Sequence, residues 1–78
     1  MAESSTSAKE WIGRFSVEAG ADAPGEAEME KLLRLASVAA HSSERIAAPV
    51  ACWIAGSAGL DLDRAIALAE RVGTAGGD

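Results

Sequence analysis

The segment DLDRAIALAERVG, residues 61–73, decides the fold class. Its apolar residues are spaced three and four apart: Leu62, Ala65, Ile66, Ala69 and Val72. Charged side chains occupy the opposite side, so the period fits an α-helix with one buried stripe. Asp61 has a side chain preferred at a helix N-cap, and Gly73 is predicted to end the helix.

The residues directly before this segment contain no charge from Ile46 to Leu60. Pro49 suits the first turn of a helix, because the N–H that proline lacks would have no partner there, and Gly59 suits the end. The sequence therefore predicts a third helix, with Trp53 as a core anchor. One side of it is bulky and the other is small: Val50, Trp53 and Ile54 against Ala51, Cys52, Ala55, Gly56 and Ala58.

A second helix is predicted from residue 26, where three glutamates favour the positive end of the helix dipole. Its main apolar face is formed by Met29, Leu32, Leu33, Ala36, Ala39 and Ala40. Leu35 and Val38 lie off that face. Because little of its circumference is polar, this helix is predicted to be central, together with the third.

The first helix is predicted between Ser7 and Gly20. Ser7 and Glu10 have the spacing of a capping box, and Gly20 suits a left-handed cap. A single apolar stripe follows: Ala8, Trp11, Ile12, Phe15 and Ala19. This stripe, including Phe15, is predicted to be buried, with Trp11 as a core anchor.

Together these segments predict an all-α fold, a compact array of about four short helices. The whole chain, residues 1–78, is predicted to be a single domain. Its ordered core spans about residues 7–73, and the flexible termini are residues 1–6 and 74–78.

The charge distribution excludes several classes of partner. The formal net charge is −5, and the first thirty residues hold seven acidic and two basic side chains. Non-specific nucleic-acid binding needs clustered Lys and Arg, which this surface lacks. The longest uncharged stretch has fifteen residues, fewer than the roughly 20 that cross a bilayer. With a single cysteine and no signal segment, a cytoplasmic location without nucleic acid or membrane partners is expected.

One polar cluster interrupts the alanine-rich middle of the chain: His41, Glu44 and Arg45, followed by Pro49. These four residues are the predicted binding site. Arg45 could hold a phosphate against the N–H groups that open the helix after Pro49. The alternative is structural, with His41 and Arg45 stabilising the negative end of the second helix.

Neither catalysis nor a resident cofactor is expected. One histidine with one glutamate lacks the nucleophile, base and orienting group of acyl transfer. His41, Glu44 and Cys52 also lack the paired spacing of a zinc site. Cys52 is interpreted as a small core residue. The site prediction therefore contains no catalytic residue, no metal ligand and no cofactor.

The small side of the third helix is also a candidate interface. Small residues four apart let another helix backbone come close, either within the chain or in a partner. Leu35 and Val38 extend this patch. The predicted interface comprises Leu35, Val38, Ala51, Cys52, Ala55 and Gly56.

The motif Ala40-His41-Ser42-Ser43-Glu44-Arg45, followed by Ala48-Pro49, resembles a small actinobacterial domain family of unknown function. Its members occur as short free-standing proteins and also fused to molybdenum cofactor guanylyltransferases. Ile46 departs from the family, in which proline is common, and so does the pair Cys52-Trp53. The resemblance implies an accessory role beside that pathway, with a protein partner and no activity of its own.

The expected function is therefore a non-enzymatic interaction module associated with molybdenum cofactor biosynthesis. Its protein partner would be a guanylyltransferase or a second copy of the chain. Two alternatives stay open: a small domain that binds a phosphate-bearing ligand, and a structural homodimer built on the helix from Ala51 to Gly59.

Overall fold

Four α-helices follow one another along the chain in the computed structural model, which describes residues 7–76. They are α1 (Ala8–Ala19), α2 (Glu26–Ser42), α3 (Ala47–Ser57) and α4 (Leu62–Gly76). No strand occurs in this range. The all-α, four-helix prediction is confirmed, and the single domain stays a prediction. The predicted flexible residues 1–6 and 77–78 lie outside the described part of the chain.

Both ends of α1 form as their local chemistry predicts. Ser7 Oγ accepts a hydrogen bond from the Glu10 N–H at 3.1 Å, and a Glu10 carboxylate oxygen accepts one from the Ser7 N–H at 3.4 Å. Gly20 adopts a left-handed φ of 73°, which lets the Ala21 N–H donate to the Ser16 carbonyl. The capping box and the glycine cap therefore fix this helix locally.

The connection from α3 to α4 uses the same kind of cap. Gly59 has a φ of 67°, and the Leu60 N–H donates to the Ala55 carbonyl at 3.0 Å. Asp61 then begins α4, because its carboxylate accepts a hydrogen bond from the Arg64 N–H at 3.3 Å. These two caps turn the chain between the last two helices.

The prediction that Gly73 ends the last helix is wrong. α4 continues through Gly73 to Gly76, so the predicted flexible tail at residues 74–76 is helical. A Cβ at position 73 would lie 2.9 Å from the Ser42 Cβ. Gly73 therefore allows α4 to approach the end of α2 closely, and a glycine used for packing was mistaken for a cap.

α2 is the central helix, and it packs against both α3 and α4. The buried core is formed by Leu35, Ala55 and Ala65. The partly buried residues packed around it are Cys52, Leu60, Ile66 and Ala69. α3 packs extensively only against α2, so the prediction that α3 is also central is wrong. α1 packs against no other helix to a comparable extent.

Ion pairs join α2 to α4 along the edge of this core. Lys31 Nζ lies 3.0 Å from Asp63 Oδ2, and Arg34 Nη2 lies 2.9 Å from Glu70 Oε2. The Asp63 carboxylate raises the pKa of Lys31 above its ordinary value. All four side chains are well exposed, so the pairs favour this register and add little to the free energy of unfolding.

Three aromatic side chains were predicted in the core, and their placement is corrected. Trp11, Phe15 and Trp53 are 56, 58 and 72% exposed. The inner side of α2 instead presents Leu35, which is only 2% exposed. Alanines on α3 and α4 meet it there, and small side chains bring helix axes close together. Such a narrow space leaves no room for an indole, so both tryptophans lie on the outside.

Candidate interaction surface

The side of α3 that points away from α2 is bulky, apolar and exposed. We call it the α3 outer face and define it by Ile46, Val50, Trp53 and Ile54, all of which are exposed. Their spacing of three and four residues places them on one side of the helix. No charged residue lies between Ile46 and Leu60. The face is therefore a continuous apolar surface.

The small side of α3 is used within the chain. Ala55 is 4% exposed and packs with Leu35 and Ala65. Cys52 is half-buried, and its Sγ lies 4.0 Å from the Leu32 carbonyl oxygen. Of the predicted interface residues, Leu35 and Ala55 are thus buried in this fold and are not offered to a partner. At these two residues the small side of α3 packs within the chain, which is one of the two alternatives that the sequence left open.

The other predicted interface residues lie at the margin of this contact. Val38, Ala51 and Cys52 are half-buried, and Gly56 is exposed. Burial raises the pKa of the Cys52 thiol, so the neutral thiol is favoured over the thiolate. This environment suits the predicted packing role of Cys52.

α1 presents a second exposed apolar surface. The rings of Trp11 and Phe15 stack with their centroids 5.2 Å apart and their planes 17° from parallel. We call this pair the α1 outer stripe. The helix reaches the rest of the chain on another side, where Ile12 and Met29 line an open groove of about 580 Å³. Lys9 and Glu26 lie across that groove, with Nζ and Oε2 3.9 Å apart.

The structure places the polar cluster on the surface around the α2–α3 turn. His41 lies in the last turn of α2, with its Nδ1 3.2 Å from Ser37 Oγ. Glu44 and Arg45 follow in the turn and are exposed. No ion pair joins their side chains. The position of His41 agrees with the interpretation that it stabilises the negative end of the helix.

The predicted anion cradle beside Pro49 does not form as expected. α3 begins at Ala47, two residues before Pro49. The Ala47 and Ala48 N–H groups donate to the carbonyl oxygens of Glu44 and Arg45 at 2.9 and 3.1 Å. Pro49 has no N–H. The first turn of α3 therefore provides no adjacent pair of N–H groups that Arg45 could complement around a phosphate.

Two kinds of feature are absent from the residues that the structure describes. No group of three or more His, Cys, Asp or Glu side chains is placed to hold a metal ion. No helix among them has both the length and the apolar character that a bilayer crossing needs.

Comparison with protein families gives one match. The profile of a domain of unknown function (DUF6457) matches residues 3–76, which is nearly the whole chain. The chain belongs to this family. No curated protein and no solved structure matches the chain. The description of this family names no activity.

The α3 outer face of this DUF6457 domain is the feature that sequence reasoning missed. Both sides of α3 are apolar, so periodicity alone did not show which one is buried. Side-chain size could have identified the buried side, because the side with alanine, cysteine and glycine allows α2 to approach closely. When the small side is buried, the bulky side is left exposed. Because there is no charged residue from Ile46 to Leu60, that exposed side is apolar.

Proposed function

We propose that this DUF6457 chain is a non-enzymatic interaction module that binds a protein partner through the α3 outer face. The observation that supports the proposal is Trp53, the largest side chain of this apolar surface, which is largely exposed. Large exposed aromatic side chains are typical anchors of protein interfaces. Burying such a side chain is also a main source of binding free energy.

The size of the surface supports the same interpretation. From the exposed fractions, its four side chains offer roughly 400–500 Å² of apolar area. An uninterrupted patch of that size lies within the range of the largest patches on monomeric proteins, about 300–600 Å², which are often functional. At about 25 cal/mol per Å², its burial is worth roughly 10 kcal/mol before the costs of association.

The chemistry of the polar cluster favours binding over catalysis. His41, Glu44 and Arg45 lie on the surface at a helix end, and the nearest polar contact of His41 is Ser37. These groups are available to form the polar rim of an interface, which typically surrounds an apolar centre. We assign His41, Glu44 and Arg45 to the polar rim of the interface, beside the N-terminal end of α3 where the apolar face begins.

The proposed partner is a molybdenum cofactor guanylyltransferase. This part of the proposal comes from the resemblance of the motif between Ala40 and Pro49 to an actinobacterial family whose members occur fused to such enzymes. Fusion holds two domains at a high effective concentration, and we infer that the same two domains associate when they are separate proteins. The role is accessory, in the cytoplasm, and the chain contributes no catalytic group.

The test is direct binding between the purified chain and a purified guanylyltransferase from the same organism. We expect Trp53→Glu to weaken the complex at least tenfold, because it replaces the largest side chain of the apolar face by a charge. Val17→Glu is the matched control. Val17 is 77% exposed on the side of α1 opposite its stripe, so this variant should bind as the wild type does.

Two further measurements define the site. Arg45→Ala should weaken binding only modestly, as expected for a rim residue. Calorimetry with GTP and GMP in the absence of the enzyme should show no heat of binding, because the N–H groups before Pro49 are already bonded. If Trp53→Glu bound the enzyme as well as the wild type, the α3 outer face would not be the binding surface.

A further inference from the structure

We propose that a second copy of the chain covers the α3 outer face in the absence of another partner, and that α1 of that copy makes the contact. The contact is reciprocal, so that each copy donates its α1 outer stripe and receives the stripe of the other. This inference goes beyond the proposed function and rests on the same exposed face. It concerns the free chain, whereas the proposed function concerns a complex.

The two helices match in length and shape. α1 has 12 residues and α3 has 11, which correspond to about 18 and 16 Å at 1.5 Å per residue. Each helix presents one apolar side with aromatic residues that are more than half exposed among the residues that the structure describes. Packing between two such helices would bury the stripe of one against the outer face of the other.

α1 is placed so that it can reach another molecule. It packs little against α2, α3 and α4. It faces the start of α2 across the groove lined by Ile12 and Met29, and Trp11 and Phe15 are more than half exposed. The Lys9–Glu26 pair and the turn containing Pro24 lie on the groove side. The stripe is therefore exposed while α1 remains attached to the start of α2.

The charges allow this contact. The chain has a net charge of −5, so two copies repel one another weakly at long range. The α3 outer face contains no charged residue. Glu18 lies on the same side of α1 as the stripe, three residues after Phe15, and Arg14 lies beside Trp11. The contact must therefore leave the charged ends of these two long side chains in water at its edge, and the repulsion between copies is screened at physiological salt.

The area agrees with a dimer. The α1 outer stripe offers roughly 250 Å², in addition to the 400–500 Å² of the α3 outer face. A single α1–α3 contact would be smaller than a stable interface requires. Two reciprocal contacts use both surfaces of each copy and approach the usual figure of about 800 Å² per partner. A two-fold axis generates these two contacts and closes the assembly as a dimer.

The first experiment measures the mass of the full chain by sedimentation equilibrium over a wide concentration range. We expect a reversible dimer at micromolar concentration. Trp11→Glu and Trp53→Glu should each raise the dimer dissociation constant at least tenfold, and Val17→Glu should leave it unchanged. Circular dichroism of each variant confirms that the helices are retained. A strict monomer for the wild type would overturn the proposal.

The decisive experiment mixes the two defective variants. In a mixed dimer of Trp11→Glu with Trp53→Glu, both substitutions fall in one contact, and the other contact pairs wild-type Trp11 with wild-type Trp53. The mixture should therefore associate at least several-fold more tightly than either variant alone. A mixture that associates no more tightly than either variant alone would refute reciprocal exchange. A monomer in which Trp53 is shielded from solvent would mean that α1 of the same chain covers the α3 outer face. That result would also refute reciprocal exchange.

The outcomes for the dimer and for the proposed function are independent. A guanylyltransferase that binds a strictly monomeric chain through Trp53 leaves the function intact and overturns the dimer. A dimer that shows the mixing behaviour but binds no guanylyltransferase keeps the inference and overturns the function.

Discussion

Leu33 and Leu35 provide the sharpest test of the packing. They lie two residues apart on α2, yet Leu33 is 62% exposed and Leu35 is 2% exposed. The same substitution, Leu→Ala, can therefore be made at two positions of one helix with almost equal effect on helix propensity. The difference between the two variants isolates burial.

The expected magnitudes follow from the exposed fractions. Leu35→Ala removes about three buried methyl or methylene groups, worth about 2.4 kcal/mol in transfer. The cavity left between Ala55 and Ala65 adds to this, so we expect a loss of about 3 kcal/mol. At Leu33 only about a third of the side chain is buried, so the loss should stay below about 1 kcal/mol.

The assay is urea unfolding followed by far-ultraviolet circular dichroism, at a protein concentration low enough to keep the chain monomeric. A chain of this length is stabilised by about 4–12 kcal/mol, so Leu35→Ala should lower the midpoint strongly. Equal losses for the two variants would refute the assigned orientation of α2. A larger loss at Leu33 would show that the apolar face predicted from the sequence is the buried one.

Three further predictions follow from other contacts. Gly73→Ala should destabilise the fold by about 1 kcal/mol in thermal or urea unfolding, because its Cβ would collide with α2. Gly56→Ala, where a Cβ meets nothing, should stabilise it by up to about 1 kcal/mol; the opposite order would contradict the α2–α4 contact. Ser7→Ala should reduce the stability of α1 by about 1 kcal/mol. It should lower the helical circular dichroism of the dilute chain without moving the main unfolding midpoint. A large shift of the midpoint would show that α1 belongs to the core. At pH values below the ordinary pKa of Lys31, Asp63→Asn should slightly lower the free energy of unfolding. The difference from the wild type should vanish as the pH rises through the raised pKa of Lys31. A difference that is constant with pH would assign the effect to Asp63 alone.

The helices and most of their ends were predictable because local chemistry determines them. The Ser7–Glu10 box, the left-handed Gly20 and Gly59 and the Asp61 cap involve residues within a few positions of one another, and all are present. Such signals do not depend on the rest of the fold. The end of α4 was wrong because Gly73 contacts Ser42, a residue far away in the sequence.

The buried faces were less predictable because they depend on which helices meet. Apolar periodicity shows that a helix has an apolar side, and α2 and α3 are apolar on more than one. The choice was decided by volume, since Ala55 and Ala65 fit beside Leu35 whereas Trp53 does not. Side-chain volume also explains why we assign binding to the bulky side of α3. The small side, which the sequence suggested, is used for packing against α2.

The exposure of Trp53 underlies both the proposed function and the proposed dimer. Its most direct test is fluorescence of the Trp11→Phe variant, in which Trp53 is the only indole, with quenching by acrylamide measured at increasing protein concentration. We predict red-shifted, easily quenched emission in dilute solution, and a shift to the blue with protection from acrylamide when the purified guanylyltransferase is added or when copies associate. Blue-shifted and protected emission at the lowest concentration would contradict the account, because it would place Trp53 inside the monomer.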